Sequence, residues 1–159
     1  MRSLLLTLHL GVFAGADIAS IYEDEGKTIV QFNDGTSREV TNDEVRAAKV
    51  TMITDEIKSD RDRRKGLGCP VGPHRFHSDD ASRIQQLGLV MFGASMPAGI
   101  KWKTMDGSFA DMTPLLAQQI FAAQAARDMA LFAVCEQHIA AAALADDPLA
   151  YDYSAGWPD

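Results

Sequence analysis

The chain has 159 residues, which fits one compact domain or a small domain with an appendage. Its 47% hydrophobic and 23% charged residues are ordinary for a folded protein. The formal net charge of −7 disfavours a nucleic-acid-binding protein, because surfaces that follow phosphates are usually basic. Two cysteines, Cys69 and Cys135, are too few for a disulfide framework and indicate a reducing compartment.

The first forty residues are predicted to form a small antiparallel sheet. Leucines alternate with other residues from Leu4 to Leu10, which is the period of a strand with one buried face. A cleaved signal sequence ending near Ala16 is the alternative interpretation of this segment. Three further strands are predicted, with a hairpin turn before the last: Ile18–Tyr22, Thr28–Phe32 and Thr36–Val40.

A capping box at Thr41 and Glu44 predicts a helix over Asn42–Lys65. The C-terminal end of this helix is almost entirely charged. This end is either a solvated helix terminus, whose cations suit the helix dipole, or a contact surface for an acidic partner. The candidate partner-binding residues at this end of the helix are Arg61, Arg63, Arg64 and Lys65.

Residues 66–73 contain three glycines and two prolines, which predicts a linker and excludes a helix or a central strand. A short extended piece should follow at His74–His77, and a helix over Asp80–Ala94. Residues Ile100–Thr104 alternate like a strand, so that Trp102 is expected to pair with Phe76 in a two-stranded ribbon. The buried face of the helix is predicted to hold Ile84, Leu87, Val90 and Met91.

The last helix is predicted to begin with Pro114 in its first position and to end near Leu144. It is apolar on every side from Met129 to Cys135. Because so short a chain has little with which to bury such a helix, we expect it to pack in an oligomer or against another protein. Its predicted core stripe is Phe121, Ala125, Met129, Phe132, Cys135, Ile139 and Ala142, of which Met129 and Phe132 are also candidate partner-binding residues.

The tail from Asp146 to Asp159 combines acidic and aromatic residues. It is either a frayed terminus or an arm that docks on a neighbour, since Tyr and Trp are frequent interface anchors. The docking interpretation adds Tyr151, Tyr153 and Trp157 to the candidate partner-binding residues.

Cys69, His74 and His77 are residue types that bind metals, but their spacing lacks the paired ligands of a structural zinc site. No base, orienting group or oxyanion site can be named for a Cys–His dyad. The sequence therefore predicts no catalytic residue, no metal and no cofactor. A small metal-dependent enzyme using these three residues is kept as a minor alternative.

Several pieces occur in a fixed order between Val45 and Asp146: Asp62-Arg63-Arg64-Lys65, His74-Arg75-Phe76-His77-Ser78-Asp79, Lys101-Trp102-Lys103-Thr104-Met105-Asp106-Gly107, and the Ala-rich final helix. In these pieces the chain resembles a domain-of-unknown-function family found in proteins associated with the tail fibres of tailed bacteriophages. The resemblance implies a role in the virion or its assembly, with no assigned activity.

The predicted fold is therefore α+β. It has an N-terminal strand region (1–40), a connecting helix (41–67), a helical module with a short β-ribbon (68–145) and an acidic aromatic tail (146–159). The expected function is that of a structural phage tail protein in a baseplate, tail tip or fibre attachment, with a tail-fibre assembly chaperone as the alternative. Expected partners are other tail proteins and copies of the chain, rather than nucleic acid or membrane. The protein would be made in the host cytoplasm and located in the virion tail.

Overall fold

A computed structural model describes Phe13 and residues 16–159. The strand expected at Leu4–Leu10, and the signal sequence that was its alternative, lie outside the described residues. In chain order the elements are β1 (Ile18–Asp24), β2 (Lys27–Phe32), β3 (Ser37–Val40), α1 (Asn42–Lys65), β4 (Cys69–Val71), β5 (His74–Phe76), α2 (Asp80–Phe92), β6 (Lys101–Lys103), β7 (Phe109–Asp111) and α3 (Pro114–Leu144). The predicted α+β class is confirmed.

The described residues form two compact units. The first unit comprises the chain up to Ile57 together with His138–Tyr153. The second unit comprises Lys58–Gln137 together with Ser154–Asp159. Both units are discontinuous in sequence, since α1 and α3 each contribute residues to both.

In the first unit, β1, β2 and β3 form an antiparallel sheet in that order. Val30 of β2 and Val40 of β3 are buried against Ala48 of α1, so one face of the sheet is covered by the helix. The predicted turn before β3 is present, with Gly35 at φ +84° and the Asp34 carboxylate accepting the Thr36 main-chain N–H at 2.9 Å.

The predicted capping box of α1 is confirmed. The Thr41 hydroxyl accepts the Glu44 N–H at 3.2 Å, and the Glu44 carboxylate accepts the Thr41 N–H at 2.9 Å. One turn further, Arg46 donates to the carbonyl oxygens of Ala143 and Ala145, both at 2.8 Å. Because the last turn of α3 contains no basic residue, Arg46 supplies the cation that satisfies its free carbonyls.

The second unit contains two separate hairpins, so the predicted pairing of Phe76 with Trp102 is wrong. Phe76 in β5 pairs with Cys69 in β4, and Trp102 in β6 pairs with Ala110 in β7. Each strand pairs with the neighbour that a tight turn brings back, because closing a short loop costs less entropy than closing a long one. Phe76 and Trp102 nevertheless share one apolar core.

The junction between α1 and the first hairpin is held by Ser78, which is 3% exposed. Its hydroxyl donates to the Lys65 carbonyl at 2.5 Å and accepts the Gly68 N–H at 2.9 Å. Gly68 has φ +89°, and a Cβ placed there would lie 2.8 Å from Arg75 Cγ and 3.0 Å from the Phe76 carbonyl oxygen. The segment predicted as a linker is therefore a tight junction that runs into β4.

We predict that Gly68→Ala destabilises the protein by about 3 kcal/mol or more, because it adds a clash to the strain of a positive φ. Gly72→Ala is the matched control. Gly72 lies in the β4–β5 turn at φ +60°, but its Cβ would meet nothing within 4 Å. Gly72→Ala should lower the free energy of unfolding only by the strain of the positive φ, about 1–2 kcal/mol. Urea denaturation measures both free energies of unfolding, and equal losses would contradict the close approach at Gly68.

The turn between β6 and β7 is organised by the Asp106 carboxylate. It accepts the Thr104 hydroxyl at 2.5 Å, and the Ser108 main-chain N–H and hydroxyl at 3.0 and 2.7 Å. The Thr104 bond foremost, followed by those from Ser108, lowers the pKa of Asp106 from 3.8 to about 2.

Because the pKa is lower in the folded state, the stabilisation from Asp106 is complete above about pH 4 and is lost as the pH falls towards about 2. We expect an NMR titration of the carboxyl to give this pKa. Asp106→Asn should remove the corresponding part of the acid dependence of stability. A titration midpoint near 3.8 would contradict the hydrogen-bonded turn.

Candidate protein-interaction site

Helix α2 presents several of its large apolar residues outward. Ile84 is 71% exposed, Leu87 is 42% exposed and Met91 is 79% exposed. The fully buried residue of the helix is Gln86, which is 1% exposed. The predicted buried face is therefore wrong at Ile84, Leu87 and Met91, although Val90 is half-buried against the core.

A buried hydrogen-bond network accounts for this orientation. The Gln86 side-chain amide donates to the His77 carbonyl at 2.9 Å, and the Gln124 amide donates to Gln86 Oε1 at 2.7 Å and to the same carbonyl at 3.2 Å. Buried amides without partners would be costly, so the mutual pairing fixes which side of α2 faces inward. The apolar stripe on the opposite side is left in solvent.

Helix α3 has two stripes on its residues in the second unit. The buried stripe follows helical spacing through Ala117, Ile120, Gln124, Arg127, Leu131 and Cys135. The outward stripe contains Phe121 (45% exposed), Met129 (74%) and Phe132 (43%), together with the exposed Ala125. The predicted core stripe is thus wrong at Phe121, Ala125, Met129 and Phe132, and confirmed at Cys135 and Ala142.

The outward sides of α2 and α3 line a shallow groove of about 340 Å³. Ile84, Leu87, Phe121 and Ala125 provide its apolar surface. Arg83 and Asp128 also line it, and they form a two-pronged ion pair with N–O distances of 2.6 and 3.0 Å. We call this surface, with the adjacent Met91 and Met129, the outer groove.

The surroundings of the outer groove are poor in charge. No charged residue occurs in residues 84–100 or 112–126. The Arg83–Asp128 pair is neutral as a whole, and these two stretches of sequence add no charge to the groove. An exposed apolar surface bordered by such sequence is typical of a protein–protein contact.

The four predicted basic residues have partners within the chain. Arg61 forms two bonds with Asp62 at 2.8 and 2.9 Å and lies 4.3 Å from the centre of the Phe132 ring. Lys65 lies 5.7 Å from the same ring. Arg63 and Arg64 both bond to Asp60. Arg61, Lys65 and Phe132 are thus brought together, while the use of this surface by a partner stays a prediction.

The predicted aromatic tail residues also have contacts within the chain. In the first unit, the Tyr151 hydroxyl lies 2.9 Å from His138 Nδ1, and Tyr153 is half-buried. In the second unit, the Arg64 guanidinium lies 4.9 Å from the centre of the Trp157 ring. The tail therefore packs on its own chain in both units, and docking on a neighbour stays a prediction.

Sequence reasoning missed the role of Arg127. It is 9% exposed, and it donates to the Asp159 main-chain oxygen at 2.6 Å and to the Arg64 carbonyl at 3.0 Å. Its buried Nη1 has no hydrogen-bond partner among the described residues, and burial lowers its pKa. In the sequence, Arg127 is the first charged residue after the uncharged residues 112–126, and this position could have singled it out.

Both cysteines are free and buried, Cys69 at 1% and Cys135 at 0% exposure. Burial raises the pKa of each thiol, which disfavours the thiolate that nucleophilic catalysis and metal binding require. Among the described residues, no three His, Cys, Asp or Glu side chains are grouped so as to hold a metal ion. Cys69, His74 and His77 are therefore not grouped as metal ligands within that part of the chain.

Within the described part of the chain, none of the helices has the length and apolar character needed to cross a membrane.

The family model described as "Domain of unknown function (DUF4376)" matches residues 44–155. This match covers more than two thirds of the chain and includes both helices of the outer groove. It confirms the location of the resemblance predicted between Val45 and Asp146. No curated protein and no solved structure matches the chain.

We predict that the glutamine pair fixes the orientation of α2 energetically. Gln124→Leu leaves Gln86 Oε1 buried without a donor, and should lower the free energy of unfolding by about 1–3 kcal/mol. The double variant Gln86→Leu/Gln124→Leu removes both amides. It should lower the free energy of unfolding by less than the sum of the losses in the two single variants. Urea denaturation of the original chain, the two single variants and the double variant measures these free energies of unfolding.

Gln118→Leu is the matched control, because Gln118 is exposed on the same helix. It should change stability by no more than about 0.5 kcal/mol. Additive effects of Gln86→Leu and Gln124→Leu would contradict a shared network.

Proposed function

We propose that this chain, which belongs to the DUF4376 family, is a structural component of a bacteriophage tail that acts through protein–protein assembly. The observation that supports the proposal best is the outer groove, in which two helices expose an apolar, nearly uncharged surface. A surface of this kind is costly to leave in water and suits a permanent contact. The tail assignment depends on the sequence resemblance to tail-fibre-associated proteins.

Within this proposal the chain belongs to a baseplate, a tail tip or a tail-fibre attachment. It is made in the host cytoplasm and becomes part of the virion tail. Its partners are other tail proteins and copies of itself. A second surface available to them is the basic side of α1, where Arg63 keeps a side-chain exposure of 58% despite its contact with Asp60. Symmetric assembly in a tail would cover apolar surface that one chain cannot bury alone.

A tail-fibre assembly chaperone is the alternative proposal. Exposed apolar surface also suits a transient binder that shields a folding partner. The two functions differ in whether the chain remains in the finished particle. A small metal-dependent enzyme is disfavoured by the burial of Cys69.

Mass spectrometry of purified particles of the encoding phage tests the proposal. We expect the chain to be present in a fixed ratio to a known tail protein. Presence in the infected-cell lysate but not in particles would contradict the structural role and support the chaperone. Presence in neither fibre intermediates nor particles would contradict both functions.

A variant pair connects this test to the outer groove. Phe121→Glu should reduce incorporation into particles at least 10-fold, because it places a charge in an apolar contact. Leu115→Glu is the matched control. Leu115 is 64% exposed on the same helix but lies about 120° around it from Phe121. Equal incorporation of both variants would contradict the use of the groove in assembly.

A further inference from the structure

We propose that the outer groove seats a second copy of this chain, so that two copies pack α2 and α3 against each other about a two-fold axis. The inference rests on the proposed function in that it takes the groove to be an assembly surface, and it adds the identity of the occupant. In a two-fold contact the same patch is used by both chains, so the patch must be compatible with itself.

Charge is the first argument for a second copy. Each chain carries a formal net charge of −7, so two copies associate most readily through a surface that adds no contact between like charges. Among the described residues that line the groove, the charged ones are Arg83 and Asp128, and they neutralise each other. Face-to-face packing of two copies therefore brings no unpaired charge into the contact. An acidic or basic partner would find the charges of the lining, Arg83 and Asp128, already paired with each other.

The size of the surface is the second argument. Ile84, Leu87, Met91, Phe121 and Met129 are between 42% and 79% exposed. At roughly 100 Å² each, they present about 500 Å² of apolar side chain. A standard interface buries about 800 Å² per partner with an apolar centre and a polar rim. The groove residues thus supply enough apolar area for the centre of a dimer interface.

Shape is the third argument. Small residues, Gly88 on α2 and Ala125 on α3, lie among the large ones, Ile84 and Phe121. Gly88 is one turn from Ile84, and a Cβ built on it meets nothing within 4 Å. The outward side of α2 therefore has an open position next to a projecting side chain. Small and large positions that alternate in this way allow two copies to interlock.

Sedimentation equilibrium and light scattering of the purified full chain test the inference. From roughly micromolar to roughly 100 micromolar concentration, we expect the mass to reach a plateau at twice 17.3 kDa. A plateau at the mass of two chains distinguishes a closed two-fold contact from a head-to-tail contact, which forms larger rings or fibres.

Two variants test whether the contact between the two copies lies in the outer groove. Phe121→Glu and Gly88→Glu should each raise the dissociation constant at least 10-fold. Gly88→Glu protects the test against a folding defect, because the position faces open space and glutamate is a better helix former than glycine. Leu115→Glu should leave the dissociation constant unchanged. Circular dichroism and thermal unfolding check that all three variants remain folded.

A chain that stays monomeric over this range overturns the inference, and so does a dimer that none of the groove variants weakens. A larger oligomer that Phe121→Glu disrupts overturns the two-fold arrangement. These measurements need no phage particle, so they are independent of the particle test. A monomer that is nevertheless incorporated through Phe121 would assign the groove to a different tail protein and leave the proposed function standing.

Discussion

The Ser78 hydroxyl is the contact on which the second unit depends, because it connects the end of one helix to the beginning of the next. It binds the last carbonyl of α1, at Lys65, and the Gly68 N–H. The carbonyl of Ser78 accepts Arg83 Nε at 2.6 Å, and Arg83 pairs with Asp128 of α3. One residue thus couples three helices through main-chain and side-chain bonds, and it fixes the entry of α2 over the hairpins. Ser78 thereby holds the start of α2, the helix that carries Ile84 and Leu87 of the outer groove.

The consequence of this arrangement is a unit with a partly polar interior and a partly apolar exterior. Gln86 and Gln124 occupy the position between α2 and α3 where apolar residues are usual, and Arg127 continues the polar line along α3. Each satisfies main-chain oxygens that would otherwise be buried without donors. The apolar residues displaced from the interior, such as Ile84 and Phe121, lie on the outside, where only another molecule can remove them from water.

The local parts of this fold were predictable from sequence. The Thr41–Glu44 capping box and Pro114 marked helix starts correctly, because those signals act within one helical turn. The direction that α2 faces was not predictable in the same way. An apolar stripe at helical spacing predicts that a surface will be covered, but it does not say whether its own chain or a partner covers it. That depends on hydrogen bonds between residues far apart, such as Gln86 and Gln124, which periodicity does not report.

The contact of Arg46 with the end of α3 has a further consequence for the timing of folding. The two sides of this contact are 97 or more residues apart in sequence. During synthesis the sheet and the first half of α1 emerge early, but residues 138–153, which complete the first unit, emerge only after the whole 58–137 segment. Residues 154–159, which complete the second unit, emerge later still, so neither unit has all of its contacts until residues 138–159 have been synthesised. The sheet and the first half of α1 therefore spend that interval without the hydrogen bonds between Arg46 and the end of α3.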